Sequence, residues 1–190
     1  MSLQGWQETL VSLQVDGPAL NTSTTATSLL GTATGVSSAS KFTIPANYWA
    51  IGRVMQASAR GRISNIVTSP GTLTLDIRFG STVVWNGGAF SLNATAKTNV
   101  SWALDVMLTC RAVGASTSAN LIGIGTFTSE SVVGAAAGTA VTVSLPASAP
   151  AVGTGFDSTV SQVVDLFGTF SVSNASNSIQ VHQFLLESLN

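Results

Sequence analysis

The sequence predicts an all-β chain: a two-sheet antiparallel sandwich of jelly-roll or Greek-key type, with long Ser/Thr/Ala/Gly-rich loops. Three observations lead there. Apolar and polar residues alternate with period 2 through most hydrophobic segments, the i, i+3, i+4 spacing of an amphipathic helix is nearly absent, and Gly, Pro and Asn punctuate the chain at turn positions. Long excursions between some strands favour a sandwich over an up-and-down barrel, whose turns are short throughout. At 190 residues the chain suits one domain, 1–190, burying on the order of 70% of its unfolded surface. Residues 1–8 are set apart as a docking N-terminal arm.

Thr9 to Val15 opens the set, with Val11, Leu13 and Val15 aligned. From Thr72 to Phe79, Leu73, Leu75, Ile77 and Phe79 share one face, and Thr72, Thr74, Asp76 and Arg78 the other. Ser69-Pro70-Gly71 precedes this strand as a turn, and Gly80-Ser81 joins it to Thr82–Trp85 as a hairpin. Asn86-Gly87-Gly88 supplies the next turn. Ser101 to Arg111 is the clearest case, with Trp102, Leu104, Val106, Leu108 and Cys110 on its core face. Leu121–Thr128, Val141–Leu145, Val160–Val172 and Ile179–Leu189 complete a set of roughly eight to ten strands. Three low-complexity connectors, Asn21–Ser40, Ser91–Asn99 and Gly134–Gly155, are long enough that they are expected either to drape over a neighbouring subunit or to be partly mobile.

Charged residues make up 8% of the chain, against roughly 25% in an ordinary globular domain. The hydrophobic fraction is 45% and the formal charge −1; mean hydropathy is +0.41. Disorder needs the opposite balance. A folded chain so poor in charge is expected to bury flanks against partners, and its edge strands, lacking charge for protection, are most simply covered by another chain. A monomer solvated by Ser, Thr and Asn is the alternative. Lys41, Arg53, Arg60, Arg62, Arg78, Lys97 and Arg111 form no tract fit for a phosphate backbone, so nucleic acid is not an expected partner. The first residues have neither a basic nor an apolar signal region, which implies synthesis in the cytoplasm. The apolar stretch Val132–Val152 is Ala/Gly/Ser-rich and holds Pro146 and Pro150, so it reads as loop rather than membrane span.

His182, the single histidine, lies in an alternating segment whose face is read as Gln180, His182, Phe184 and Leu186. No nucleophile elbow accompanies it, so a packed or hydrogen-bonded role is expected and no catalytic residue is assigned. A glycosidase would draw its two carboxylates from distant strands. The carboxylates here are scattered; Asp76 with Arg78, and Asp105 with Arg111, read as surface ion pairs. Spacings for calcium, zinc or a phosphate-cradling loop are absent, so no metal or cofactor is expected. Lone Cys110 reads as a small buried apolar side chain. Asn21, Asn93, Asn99 and Asn174 each begin a glycosylation triplet, attributed to composition. Trp85 and Trp102, on strands, are expected in the core. Trp6 and Trp49, near a terminus and a loop, are expected to expose their indoles as inter-subunit anchors.

Thr43-Ile44-Pro45-Ala46-Asn47, the blocks Gly61–Gly88 and Thr126–Gly134, and the tail Gly153–Asn190 resemble small structural proteins of tailed-bacteriophage virions. The resemblance implies a jelly-roll decoration or head-stabilising protein that sits on the major capsid protein as a homotrimer. It departs from the shell proteins themselves, whose long helix has no pattern here. A carbohydrate- or receptor-binding module on a tail or head fibre is the alternative, since jelly rolls also serve as lectin scaffolds.

Overall fold

The computed structural model describes residues 7–31, 40–148 and 153–189. Its strands are β1 (Glu8–Ser12), β2 (Leu20–Asn21), β3 (Thr27–Ser28), β4 (Phe42–Ile44), β5 (Val54–Asn65), β6 (Thr72–Phe79), β7 (Thr82–Ser91), β8 (Lys97–Ala112), β9 (Asn120–Ser129), β10 (Val141–Leu145), β11 (Gln162–Phe170) and β12 (Ser178–Ser188). No α-helix is found among the described residues. A seven-stranded sheet runs β1-β12-β5-β8-β9-β10, with β2 also on β12; a five-stranded sheet runs β3-β11-β6-β7, with β4 also on β11. All pairings are antiparallel.

The connectivity is that of a jelly roll. Nested antiparallel partners are β6 with β7, β5 with β8, β3 and β4 with β11, and β1 and β2 with β12. Rolling this long hairpin brings β12 beside β5 and β11 beside β6, the order expected when a paired ribbon wraps into two sheets. The β9–β10 hairpin is an addition to that plan and widens the large sheet beyond β8.

Alternation drives the packing. The predicted inner faces of β6 and β8 are buried in full: Leu73, Leu75, Ile77 and Phe79 on one, Trp102, Leu104, Val106, Leu108 and Cys110 on the other. Burial raises the Cys110 thiol pKa, in keeping with an apolar role. Trp85 and Trp102 are buried as predicted, and Trp102 stacks on Phe127.

Four expectations are corrected. Trp49 is only 6% exposed and packs against Phe79 and Phe156, because the Ala50–Arg53 turn folds it back under the sandwich; it presents no free indole for an anchor. Trp6 lies outside the described residues. Asp105 pairs with Arg60 across the β5–β8 ladder rather than with Arg111. The face assigned to His182 is broken by a bulge between Val181 and Gln183: the extra residue changes the phase, so Gln180 and His182 point outward while Phe184 and Leu186 are buried. The Ser91–Asn99 connector is short, because β7 runs to Ser91 and β8 starts at Lys97.

Candidate functional site

Three surfaces hold the candidate chemistry. The first is one end of the sandwich, where the connections β5–β6, β7–β8, β9–β10 and β11–β12 meet. Buried asparagines tie these loops together. Asn65 Nδ2 donates to the carbonyls of Ile66, Asn93 and Thr95, and its Oδ1 accepts from Ser131 Oγ. Asn93 Nδ2 donates to the Ala135 carbonyl at 2.8 Å, while its Oδ1 accepts from Thr95 N–H. Asn177 accepts from Ile66 N–H and donates to the carbonyls of Pro70 and Val172. Each amide satisfies backbone groups that water does not reach, so the loops are held in one arrangement.

Lys97, 7% exposed, closes this end by pairing with Glu130 at 2.6 Å. Glu130 Oε1 also accepts from Gly138 N–H. The Lys97 hydrogen bond, followed by the Gly138 amide, holds the Glu130 carboxyl below the usual carboxylate range. Beside the pair lies a shallow cup of 370 Å³ lined by Ser64, Asn65, Lys97, Thr98, Ser176 and Ser178. Ile66, Val67, Ala96 and Ala175 complete the lining, so the cup is mixed apolar and hydrogen-bonding, with Lys97 its one charged side chain.

The glycosylation triplets at Asn93 and Asn174 acquire a structural meaning here. In both, the side-chain Oδ1 accepts from the N–H two residues on, an Asx turn. The spacing noted in the sequence is therefore turn chemistry, and Asn93 is buried.

The second surface is the outer face of the seven-stranded sheet. Cross-strand register sets Met107 directly opposite Ile124, and they are 50% and 55% exposed. Around them lie Gln56, Ser58, Thr126, Thr128 and Thr142, with Thr128 and Thr142 hydroxyls 2.7 Å apart. Asp105 accepts from Ser58 Oγ at 2.6 Å and meets Arg60 at 3.3 Å, and Arg62 donates to Ser101 Oγ. Met107 and Ile124 thus form an exposed apolar pair on a face that also carries Arg60, Arg62 and Asp105.

The outer face of the five-stranded sheet contrasts with it. Lys41–Asp165 and Asp76–Arg78 pair there at 2.5 and 2.6 Å, and Arg78 lies over the Phe167 ring. Burial pushes the Asp165 carboxyl up, against the opposing pull of its Lys41 and Ser28 hydrogen bonds. Charges on this face are spent on one another.

His182 Nδ1 stands 2.9 Å from Asp16 Oδ1, linking the β1–β2 connection to β12 at the sheet surface. No group of three or more His, Cys, Asp or Glu side chains suited to a metal ion occurs among the described residues, and no described helix is long and apolar enough to cross a membrane. The described aromatic rings are largely turned inward: Trp49, Trp85, Trp102, Phe79, Phe90, Phe127, Phe156, Phe170 and Phe184 are all buried.

The fold is a jelly-roll β-sandwich. Family models give no match to the chain, and neither do curated proteins. Among solved structures it is similar to the CBM2 module of the evolved Dit protein of Lactobacillus casei BL23 phage J-1, at 11% identity and a TM-score of 0.39, over 99% of this chain and 98% of that one. A likeness at that level assigns neither family nor ligand.

Proposed function

We propose that the chain is a non-enzymatic structural module of a bacteriophage virion that docks on the major capsid protein through the outer face of its seven-stranded sheet and stabilises the shell. The observation that carries this reading is the exposed Met107–Ile124 pair, set among uncharged Gln56, Thr126 and Thr128. Covering such a pair adds roughly 25 cal/mol for each Å2 of apolar surface removed from water, and a subunit bound only to the assembled shell raises the shell's stability by mass action. The resemblance of the sequence to phage structural proteins supplies the setting. Met107→Thr with Ile124→Thr is expected to leave the fold intact, since both side chains are exposed and threonine suits a strand, and to lower binding to particles lacking the protein at least tenfold in a co-sedimentation measurement. Undiminished binding of that variant sinks the reading.

A second reading rests on the cup beside Lys97 and Glu130. Its hydroxyls and amides, fixed by the buried asparagines, suit the hydroxyl groups of a carbohydrate on a host surface. The cup's lining includes no aromatic ring, so recognition there is by hydrogen bonds and aliphatic contact. Binding on a glycan array that is lost on Ser176→Trp, a substitution that fills the cup, would favour this reading over shell docking.

A further inference from the structure

We propose that the outer edge of β10 pairs antiparallel with β10 of a second copy, continuing the seven-stranded sheet across a two-fold axis near Val143.

The edge strands of the two sheets are not equally protected. β3 and β4 have two and three residues, and Pro45 follows β4. β1 carries Glu8 and a register shift between Thr9 and Val11. β7 has two register shifts, and the chain just beyond it is bridged through Leu92 to Val132. Short length, charge and bulges are the devices that keep an edge from pairing with another chain. β10 has neither charge nor bulge: Val141-Thr142-Val143-Ser144-Leu145 pairs with β9 over five successive residues without a shift, and Pro146 lies just beyond its end. Its backbone makes no hydrogen bond to a second neighbour among the described residues. In an antiparallel ladder alternate residues of an edge strand direct N–H and C=O outward, so this edge offers an unused ladder.

Two further observations select the same chain as occupant. A two-fold contact sets a segment against a copy of itself, so any net charge in it repels its own image. From Ser131 to Phe156 the sequence carries no Asp, Glu, Lys, Arg or His, so the self-contact meets no like charge. Val141 and Val143 point inward yet are only partly buried, at the open side of the sandwich. With the axis near Val143, Val143 meets its own copy and Val141 meets Leu145 of the partner on the inner face; Thr142 and Ser144 alternate on the outer. Apolar thus meets apolar and hydroxyl meets hydroxyl.

One five-residue strand buries less than the roughly 1,200 Å2 of a stable interface, so the dimer of the isolated chain is weak, and it tightens when copies are held side by side on a particle. This pairing rests on the reading of the chain as an assembling module, and its symmetry favours an even number of copies over three. It uses a different surface from shell docking, so the two fail separately: sizing of the isolated protein tests the edge, particle co-sedimentation tests the face.

The test is sedimentation velocity on the full chain from about 1 μM to about 1 mM, for the native protein, for Thr142→Lys with Ser144→Lys, for Thr142→Glu with Ser144→Glu, and for an equimolar mixture of the two variants. Positions 142 and 144 are exposed, so the substitutions spare the core, and the pairing brings 142 of one copy against 144 of the other. Dimerisation of the native chain is expected, with the dissociation constant raised at least about tenfold in either variant alone and recovered in the mixture. Amide exchange over residues 141–145 in the native protein is expected to slow as concentration rises. A native chain that stays monomeric throughout, variants that associate as well as it does, or exchange in β10 independent of concentration would overturn the proposal.

Discussion

Asn65 shows how a single buried side chain sets the shape of one end of the molecule. Its amide occupies four hydrogen bonds across three segments, so removing it strands the Asn93 and Thr95 carbonyls and the Ser131 hydroxyl without partners. An unmade bond of this kind costs about 1–3 kcal/mol; Asn65→Ala is therefore expected to lower unfolding stability by about 3 kcal/mol in a denaturant titration, more than the same change at exposed Asn47. Glu130 carries a pH signature. Its carboxyl is held below the ordinary value of 4.5 by Lys97 and the Gly138 amide, so its contribution to stability is present above that value and is lost as acidification takes it through its lowered pKa. Asp157, lowered by the Thr159 hydroxyl, acts in the same sense, while Asp165, raised by burial, acts in the opposite one. Glu130→Gln is expected to flatten the fall in melting temperature below pH 4.5, read by calorimetry at several pH values. These residue roles were not legible in the sequence, where an asparagine in a Ser/Thr-rich loop looks like every other.

At the scale of the element, legibility followed side-chain size. β6 and β8 announce themselves because their inner positions are Leu, Ile, Phe, Val and Trp. β5, the centre of the large sheet, does not: its inner row is Met55, Ala57, Ala59, Gly61 and Ile63, and three small residues blur a period that its outer row of Gln56, Ser58, Arg60, Arg62 and Ser64 in fact keeps. The smallest of them stands opposite the largest side chain of β8. Gly61 faces Trp102 across the ladder, and a Cβ on it would come within 1.9 Å of the Gln180 carbonyl, which accepts from Trp102 Nε1 at 3.2 Å. Backbone cannot yield there as a side chain would. Gly61→Ala is expected to cost about 1–3 kcal/mol and to alter Trp102 fluorescence, measurable in the same unfolding experiment. The β12 bulge is a second element-level feature hidden from the sequence, since period-2 reading carries straight through His182 and only the ladder with β5 shows the slip.

For the whole molecule, the sandwich, its antiparallel character and its turn-rich outline follow from composition and period alone, because each sheet needs one apolar and one wet face. The outward surfaces are where sequence reading stops. Scarce charge predicts contact with partners in general, yet it takes the register to place Met107 beside Ile124 and to gather Lys41, Asp76, Arg78 and Asp165 on the opposite side of the sandwich. That division makes a salt prediction: the ionic face should make folding stability only modestly dependent on ionic strength, while docking through the Met107–Ile124 face should strengthen in sulfate, which favours apolar burial. Co-sedimentation across a sulfate series checks it; weakening with added salt would place the contact on the charged side instead.

The position of β12 has a kinetic consequence. Although it follows every other described strand in sequence, it lies between β1 and β5, one strand in from the edge of the large sheet, so nothing translated earlier can complete that layer. Until residues 178–188 emerge, β5 lacks one of its two neighbours and the first strand has no ladder at all, which leaves an apolar half-sheet waiting on the ribosome. Such a chain gathers its longest-range contacts last and folds slowly for its size, and a nascent chain stalled before Ser178 should be captured by chaperones that release the finished one.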